Sequence, residues 1–179
     1  MRQFYDALVF DGKCADFGRK LGYSGVFFDE AAYCEPKTAK DIKTVSGKIN
    51  FVRGGALELN QAIVRKKGVN VLLDPFGQKK EFDTAVGQIA KDYNIFIGIS
   101  LYNILANKVN WARLLANIAS TIGICKKMKN DLVIVSGAKN VYDMRAPREL
   151  ASLGTLFGLT DAQSLWAISE SPRALLEGL

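Results

Sequence analysis

The chain contains no histidine, and this single absence excludes more chemistry than any motif in it supports. Ser-His-Asp triads and Cys-His pairs are impossible, so general acid–base work would fall to carboxylates, lysine or tyrosine. The commonest zinc ligand is also missing, and the three cysteines, Cys14, Cys34 and Cys125, lie too far apart in sequence to replace it. Their odd number and wide spacing exclude a disulfide framework of paired cysteines and fit a reducing cytosol. No apolar run is long enough to span a bilayer. The longest candidates, residues 95–106 and 111–125, are broken by Asn103 and Arg113. The N-terminus does not read as a signal peptide, because Asp6 and Asp11 interrupt its only apolar segment. Neither a G-x-x-x-x-G-K-[ST] phosphate loop nor a G-x-G-x-x-G dinucleotide turn is present.

What is there fits one globular unit over residues 1–179, with 49% apolar residues, enough for one substantial core, and 23% charged residues, near the globular norm. The 24 basic and 18 acidic side chains leave +6, and their distribution says more than their sum. Residues 1–103 carry 15 basic and 12 acidic side chains, residues 104–148 carry 8 and 2, and residues 149–179 carry 1 and 4. A basic middle followed by an acidic tail points to a polyanion-facing surface on one side of the domain. A charge-rich surface with accidental clustering is the plainer alternative.

Six short apolar runs stand out, at residues 5–10, 25–28, 49–52, 69–73, 95–99 and 131–135. Most are nearly continuous, as strands buried on both faces are. Helical rhythm separates the later ones: residues 82–93 carry apolar side chains in a 3-4 pattern, and Trp111–Met128 repeats it through Leu114, Leu115, Ile118 and Ile122. Residues 13–21 have room for only a short helix. Strands alternating with helices predict a parallel sheet with right-handed crossovers. The last third is helical, with expected helices over 145–157, 162–168 and 172–179. Pro147 would sit in the first turn of the first, and Ser171 would cap the last. Such a chain is either a doubly wound sheet or an incomplete (β/α) barrel.

Side chains at the C-terminal ends of parallel strands are the natural place for chemistry. Asp11, Asp29, Glu30 and Asp74 all follow strands and offer oxygen ligands to Mg²⁺, as a hydrolase would need. Asp and Glu also cap the helices that follow such strands. Lys139, just past the sixth run, has the position of a Schiff-base lysine in a lyase, or of a solvated turn residue.

From the sixth run onward the sequence resembles a known family. Ile134-Val135-Ser136-Gly137-Ala138-Lys139, then Met144-Arg145-Ala146-Pro147-Arg148-Glu149-Leu150, then Leu156-Phe157-Gly158-Leu159 are similar to the archaeal ribonuclease P protein component 3 family, homologous to a subunit of eukaryotic ribonuclease P and MRP. The similarity continues through Ala167-Ile168-Ser169 and Ser171-Pro172, and takes in Tyr5-Asp6-Ala7 and the strand beginning at Ile95, so it covers essentially the whole chain. The resemblance implies an α/β fold, an incomplete TIM-like (β/α) barrel related to the PHP metallophosphoesterases, with a helical C-terminal tail. Those enzymes open on an Asp-x-His-x-His strand end. Here the comparable stretch is Asp6-Ala7-Leu8-Val9-Phe10, with apolar residues where imidazoles would stand.

The resemblance further implies a cytoplasmic subunit of the ribonucleoprotein that removes the 5′ leader from precursor tRNA. In it the RNA and its Mg²⁺ do the cutting, and the protein binds no cofactor of its own. Implied partners are ribonuclease P RNA, precursor tRNA within the complex, protein component 2 and the other ribonuclease P proteins, with no membrane. The candidate RNA-binding residues are Lys139, Arg145 and Arg148, flanking one strand end and one helix start, together with Arg113, Lys126 and Lys127. Lys126, Lys127 and Lys129 end a helix, where cations also complement the dipole; Arg113 begins it, where a cation gains nothing from the dipole. Trp111 and Trp166 follow apolar helical rhythms and are expected in the core rather than as base-stacking platforms.

Overall fold

Short apolar runs become short strands. The computed structural model describes residues 2–107 and 110–178, so Lys108 of the basic middle and Leu179 of the last expected helix lie outside the described residues. The strands are β1 (Tyr5–Asp6), β2 (Gly25–Val26), β3 (Ala31–Cys34), β4 (Ile49–Arg53), β5 (Val71–Leu73), β6 (Phe96–Ser100) and β7 (Leu132–Val135). The helices are α1 (Lys13–Leu21), α2 (Leu57–Ile63), α3 (Thr84–Asp92), α4 (Leu101–Ala106), α5 (Trp111–Met128), α6 (Pro147–Leu156), α7 (Asp161–Trp166) and α8 (Glu170–Glu177). Helix α1 ends where Gly22 turns left-handed. Helix α3 starts where the Asp83 carboxylate accepts the Val86 N–H, and α7 where Thr160 and Gln163 cap each other.

All ladders are parallel, in the order β3-β4-β5-β6-β7 for one sheet and β1-β2 for the other. Only residues 27–30 separate β2 from β3, too few to reverse the chain twice. The two therefore run on in one direction as a bent strand, hydrogen-bonded to β1 along one half and to β4 along the other. The ring closes between β1 and β7 at their upper ends, where Phe10 N–H donates to Ala138 (2.8 Å) and Gly137 N–H to Leu8 (3.1 Å). Lower down the two strands part, and the α7–α8 turn fills the gap: the Ile168 carbonyl accepts Tyr5 N–H (2.9 Å) and the Ala167 carbonyl accepts Ile134 N–H (3.1 Å). This is the incomplete barrel, with the helical tail serving as the missing seam.

Period-2 alternation sorts the strand residues. Ile49, Phe51, Val71, Leu73, Val133 and Val135 fill the lumen with Ala7, Leu8 and Phe27, and Leu175 of α8 joins them from the tail. Val52, Leu72 and Ile97 face outward onto α2 and α3, while Ile99 and Ile134 face α5 and α6. At Gly98 the lumen leaves no room: a Cβ there would lie 2.7 Å from Val71 Cγ1 and 2.8 Å from Leu73 Cδ1.

Three expectations are corrected. Trp111 and Trp166 are not core residues but 42% and 54% exposed. Trp111 lies on the stripe of Leu114, Ile118, Ile122 and Cys125 but one turn above it, and Trp166 ends a six-residue helix that buries only Ser164. Ser171 does not cap the last helix. That helix begins two residues earlier, after Ser169, whose hydroxyl donates to the Leu165 carbonyl (2.6 Å), while Ser171 Oγ is buried without a partner.

Candidate functional site

The upper rim of the barrel, where the strands end, is built around the segment that leaves β7. The Ser136 N–H donates to Asp6 Oδ1 at 3.0 Å, which ties β7 to β1 from underneath. Burial pushes the Asp6 carboxyl up to about 6, against the lowering effect of the Ser136 hydrogen bonds. Its second oxygen has no partner. Gly137 then adopts a left-handed φ of 62°, with its Cα so close to Ser100 that a Cβ would sit 2.4 Å from the hydroxyl.

Residues 139–146 form a tightly wired turn. Asp143 Oδ2 accepts the Lys139 N–H (3.1 Å) and the Asn140 side-chain amide (2.9 Å), and Asn140 Oδ1 accepts the Tyr142 N–H (2.9 Å). The Arg145 guanidinium donates through Nη1 to the carbonyls of Tyr142 (3.0 Å) and Met144 (2.7 Å), and the buried Tyr23 hydroxyl donates to the Arg145 carbonyl (2.9 Å). What this turn displays is cationic and aromatic. Lys139 is exposed, with Nζ 4.7 Å from the centre of the Tyr102 ring, and Tyr142 is 87% exposed. Arg148 follows as an exposed residue in the first turn of α6, where the helix dipole gives a cation no support.

The expected basic residues do not form one face. Arg113 starts α5 at the same upper end as the turn, but Lys126 and Lys127 lie in the last turn of that 18-residue helix, roughly 20 Å away at 1.5 Å per residue. Lys126 Nζ is engaged there with the Gly158 carbonyl (2.7 Å), holding the α6–α7 loop. The basic middle of the sequence is thus two clusters at opposite ends of the barrel.

Nor do the strand-end carboxylates converge. Among the described residues, no three His, Cys, Asp or Glu side chains are grouped as metal ligands. Asp11 accepts the Lys13 N–H (3.0 Å), in the manner of a cap, and Asp29 and Glu30 are exposed. Asp74 is buried with a left-handed φ of 49°. Its oxygens take the Ser100 N–H (2.8 Å) and the Asn103 side-chain amide (2.6 Å), fastening β5 to the start of α4. Burial pushes its carboxyl up to about 6, opposed by those two bonds and by Arg53, which is itself paired with Glu35 at 2.7 Å. These three side chains, Arg53, Asp74 and Asn103, line a cavity of about 70 Å³ at the barrel mouth.

Beside the rim, Leu101 and Leu105 of α4 face Leu153 and Leu156 of α6 across an apolar groove of about 770 Å³, edged by Arg145 and Glu149. Sequence reasoning passed over this groove and over Tyr142. The one available signal was an aromatic residue inside a cationic, Asn- and Asp-rich turn.

The fold and rim define a class: an incomplete TIM-like barrel with a cationic turn on its rim. The model of the family described as RNase P subunit p30 matches residues 21–178, and the chain belongs to that family. Ribonuclease P protein component 3 of Thermococcus kodakarensis is 29% identical over 79% of this chain and 66% of its own length. That of Methanococcoides burtonii is 24% identical over 70% and 53%. The chain therefore spans between half and two thirds of the length of these curated relatives. A chain in the cryo-EM structure of archaeal ribonuclease P with mature tRNA has the same fold, with a TM-score of 0.64 and 22% identity over 73% of this chain and 57% of that one. An amidohydrolase shares the barrel at a TM-score of 0.55 and 14% identity, over 73% of this chain and 33% of its own.

Proposed function

We propose that this chain is a protein subunit of a ribonuclease P ribonucleoprotein, acting on precursor tRNA in the cytoplasm and contributing no catalytic group of its own. The observation that carries the reading is membership of the p30 family, together with a cationic turn on the barrel rim. Lys139, Arg145 and Arg148, with Arg113 at the same end, contact phosphates of the RNA, and Lys126 and Lys127 offer a second contact region at the far end. The Mg²⁺ that the reaction requires belongs to the RNA, and the protein takes no cofactor. With a formal charge of only +6, the chain neutralises few phosphates by itself. It works with a second protein, component 2, to complete a surface that lowers the repulsion within the folded RNA. The test is whether the chain, isolated under native conditions, carries with it an RNA and a small second protein. Recovery of the chain free of both, from cells that contain active ribonuclease P, would contradict the assignment.

A further inference from the structure

We propose that Tyr142 is a stacking platform for an unpaired nucleobase of the bound RNA, an inference that rests on the RNA-binding reading of the same rim. At 87% exposure, Tyr142 is the most exposed of the large apolar side chains among the described residues. Its backbone is nevertheless held on both sides. Its N–H is held by Asn140 and its carbonyl by Arg145. The turn's ends are pinned by Asp143 at Lys139 and by the Tyr23 hydroxyl at Arg145. A ring presented this way loses little backbone freedom when something stacks on it, so more of the stacking free energy appears as affinity.

The surroundings select the ligand. Lys139 and Arg145 lie on the same turn, one on either side of Tyr142 in sequence. Asp143, the only acid in residues 139–146, is turned onto the Lys139 and Asn140 amides. An exposed ring on a turn that also carries two cations suits an unpaired base with its phosphates nearby, which is the arrangement by which proteins hold unpaired nucleotides. A base inside a continuous helix has no free face to offer. A protein partner would need apolar neighbours around the ring, and Tyr142 does not line the leucine groove between α4 and α6. Trp166, 54% exposed, lines a groove at the far end of the barrel beside Lys126, away from this turn.

The experiment compares two RNA duplexes, one with a single-nucleotide bulge and one fully paired, binding to the full chain and to Y142A, Y142F and Y142W across a salt series. Y142A is expected to keep the wild-type melting temperature and to bind the bulged RNA about 5- to 150-fold more weakly. Its affinity for paired RNA and its salt slope should stay unchanged, and Phe and Trp should restore bulge binding. Equal effects on both RNAs, no effect on either, or failure of Phe to restore would overturn the proposal, as would a loss confined to capture of protein component 2. If wild type shows no salt-dependent binding to either RNA and alanines at Lys139, Arg145 and Arg148 are silent, the RNA-binding reading itself fails and the stacking proposal fails with it.

Discussion

Replacing Asp6 by Asn tests how β1 is held to β7. Asp6 is wholly buried, accepts one amide hydrogen bond through Oδ1 and leaves Oδ2 without a partner. Raising the carboxyl from 3.8 to about 6 corresponds to about 3 kcal/mol between its two protonation states at about 1.4 kcal/mol per pH decade. The folded pKa lies above the unfolded one, so the stabilising contribution is fully present below pH 3.8 and is lost as pH rises through about 6. Above that, the native state either buries a charge or binds a proton at a cost. An asparagine in the same place keeps the acceptor for Ser136 and carries no charge. D6N should therefore match the wild type near pH 3.5 and be roughly 2–3 kcal/mol more stable at pH 8, with the gap opening between pH 4 and pH 6. Urea unfolding followed by circular dichroism at intervals of one pH unit measures this directly. Because Asp74 titrates in both proteins, the difference between them isolates Asp6. A D6N protein less stable than wild type at pH 8, or a gap independent of pH, would refute the account of the seam.

Gly98→Ala should destabilise the chain by about 1–3 kcal/mol, because the added methyl meets two lumen side chains at under 3 Å and the barrel must widen; a change below 0.5 kcal/mol in the same assay would show a looser lumen. Alanines at Lys139, Arg145 and Arg148 together should weaken binding to all RNA sequences alike and flatten the slope of log affinity against log salt by about two to three for duplex RNA. An unchanged slope in a folded triple variant would move the contact elsewhere. The purified chain, rigorously freed of RNA, should cleave no precursor tRNA in Mg²⁺ and carry no stoichiometric zinc, as read by cleavage assay and elemental analysis; either activity or zinc would return the barrel to the enzymes.

Much of the barrel was legible because buried parallel strands write themselves as continuous apolar runs and α5 as an unbroken 3-4 rhythm. Residues 31–34 escaped because Ala31, Ala32, Tyr33 and Cys34 are only half-buried and continue β2 past the acidic bend at Asp29 and Glu30. Helix α2 escaped because Ala56 gives it no side-chain cap. That Lys139 and Arg145 share one turn was legible because they are close in sequence, and nearness in sequence survives folding. Charge counted along residues 104–148 did not survive it, since one long helix carries Arg113 and Lys126 to opposite ends. Tryptophan rhythm misled for a similar reason: periodicity tells which stripe a residue lies on, not whether the neighbouring sheet reaches that far. The unpartnered Asp6 oxygen and the left-handed Asp74 are tertiary facts with no local signature.

Membership of a working ribonuclease P shows in the rate of precursor tRNA cleavage against Mg²⁺ concentration, measured for the ribonuclease P RNA with neither protein, with this chain, with component 2, and with both. The pair should lower the Mg²⁺ requirement and raise the rate, while either protein alone should do much less. Equal help from this chain alone and from the pair would contradict the shared surface, and no help in any combination would contradict the assignment to ribonuclease P.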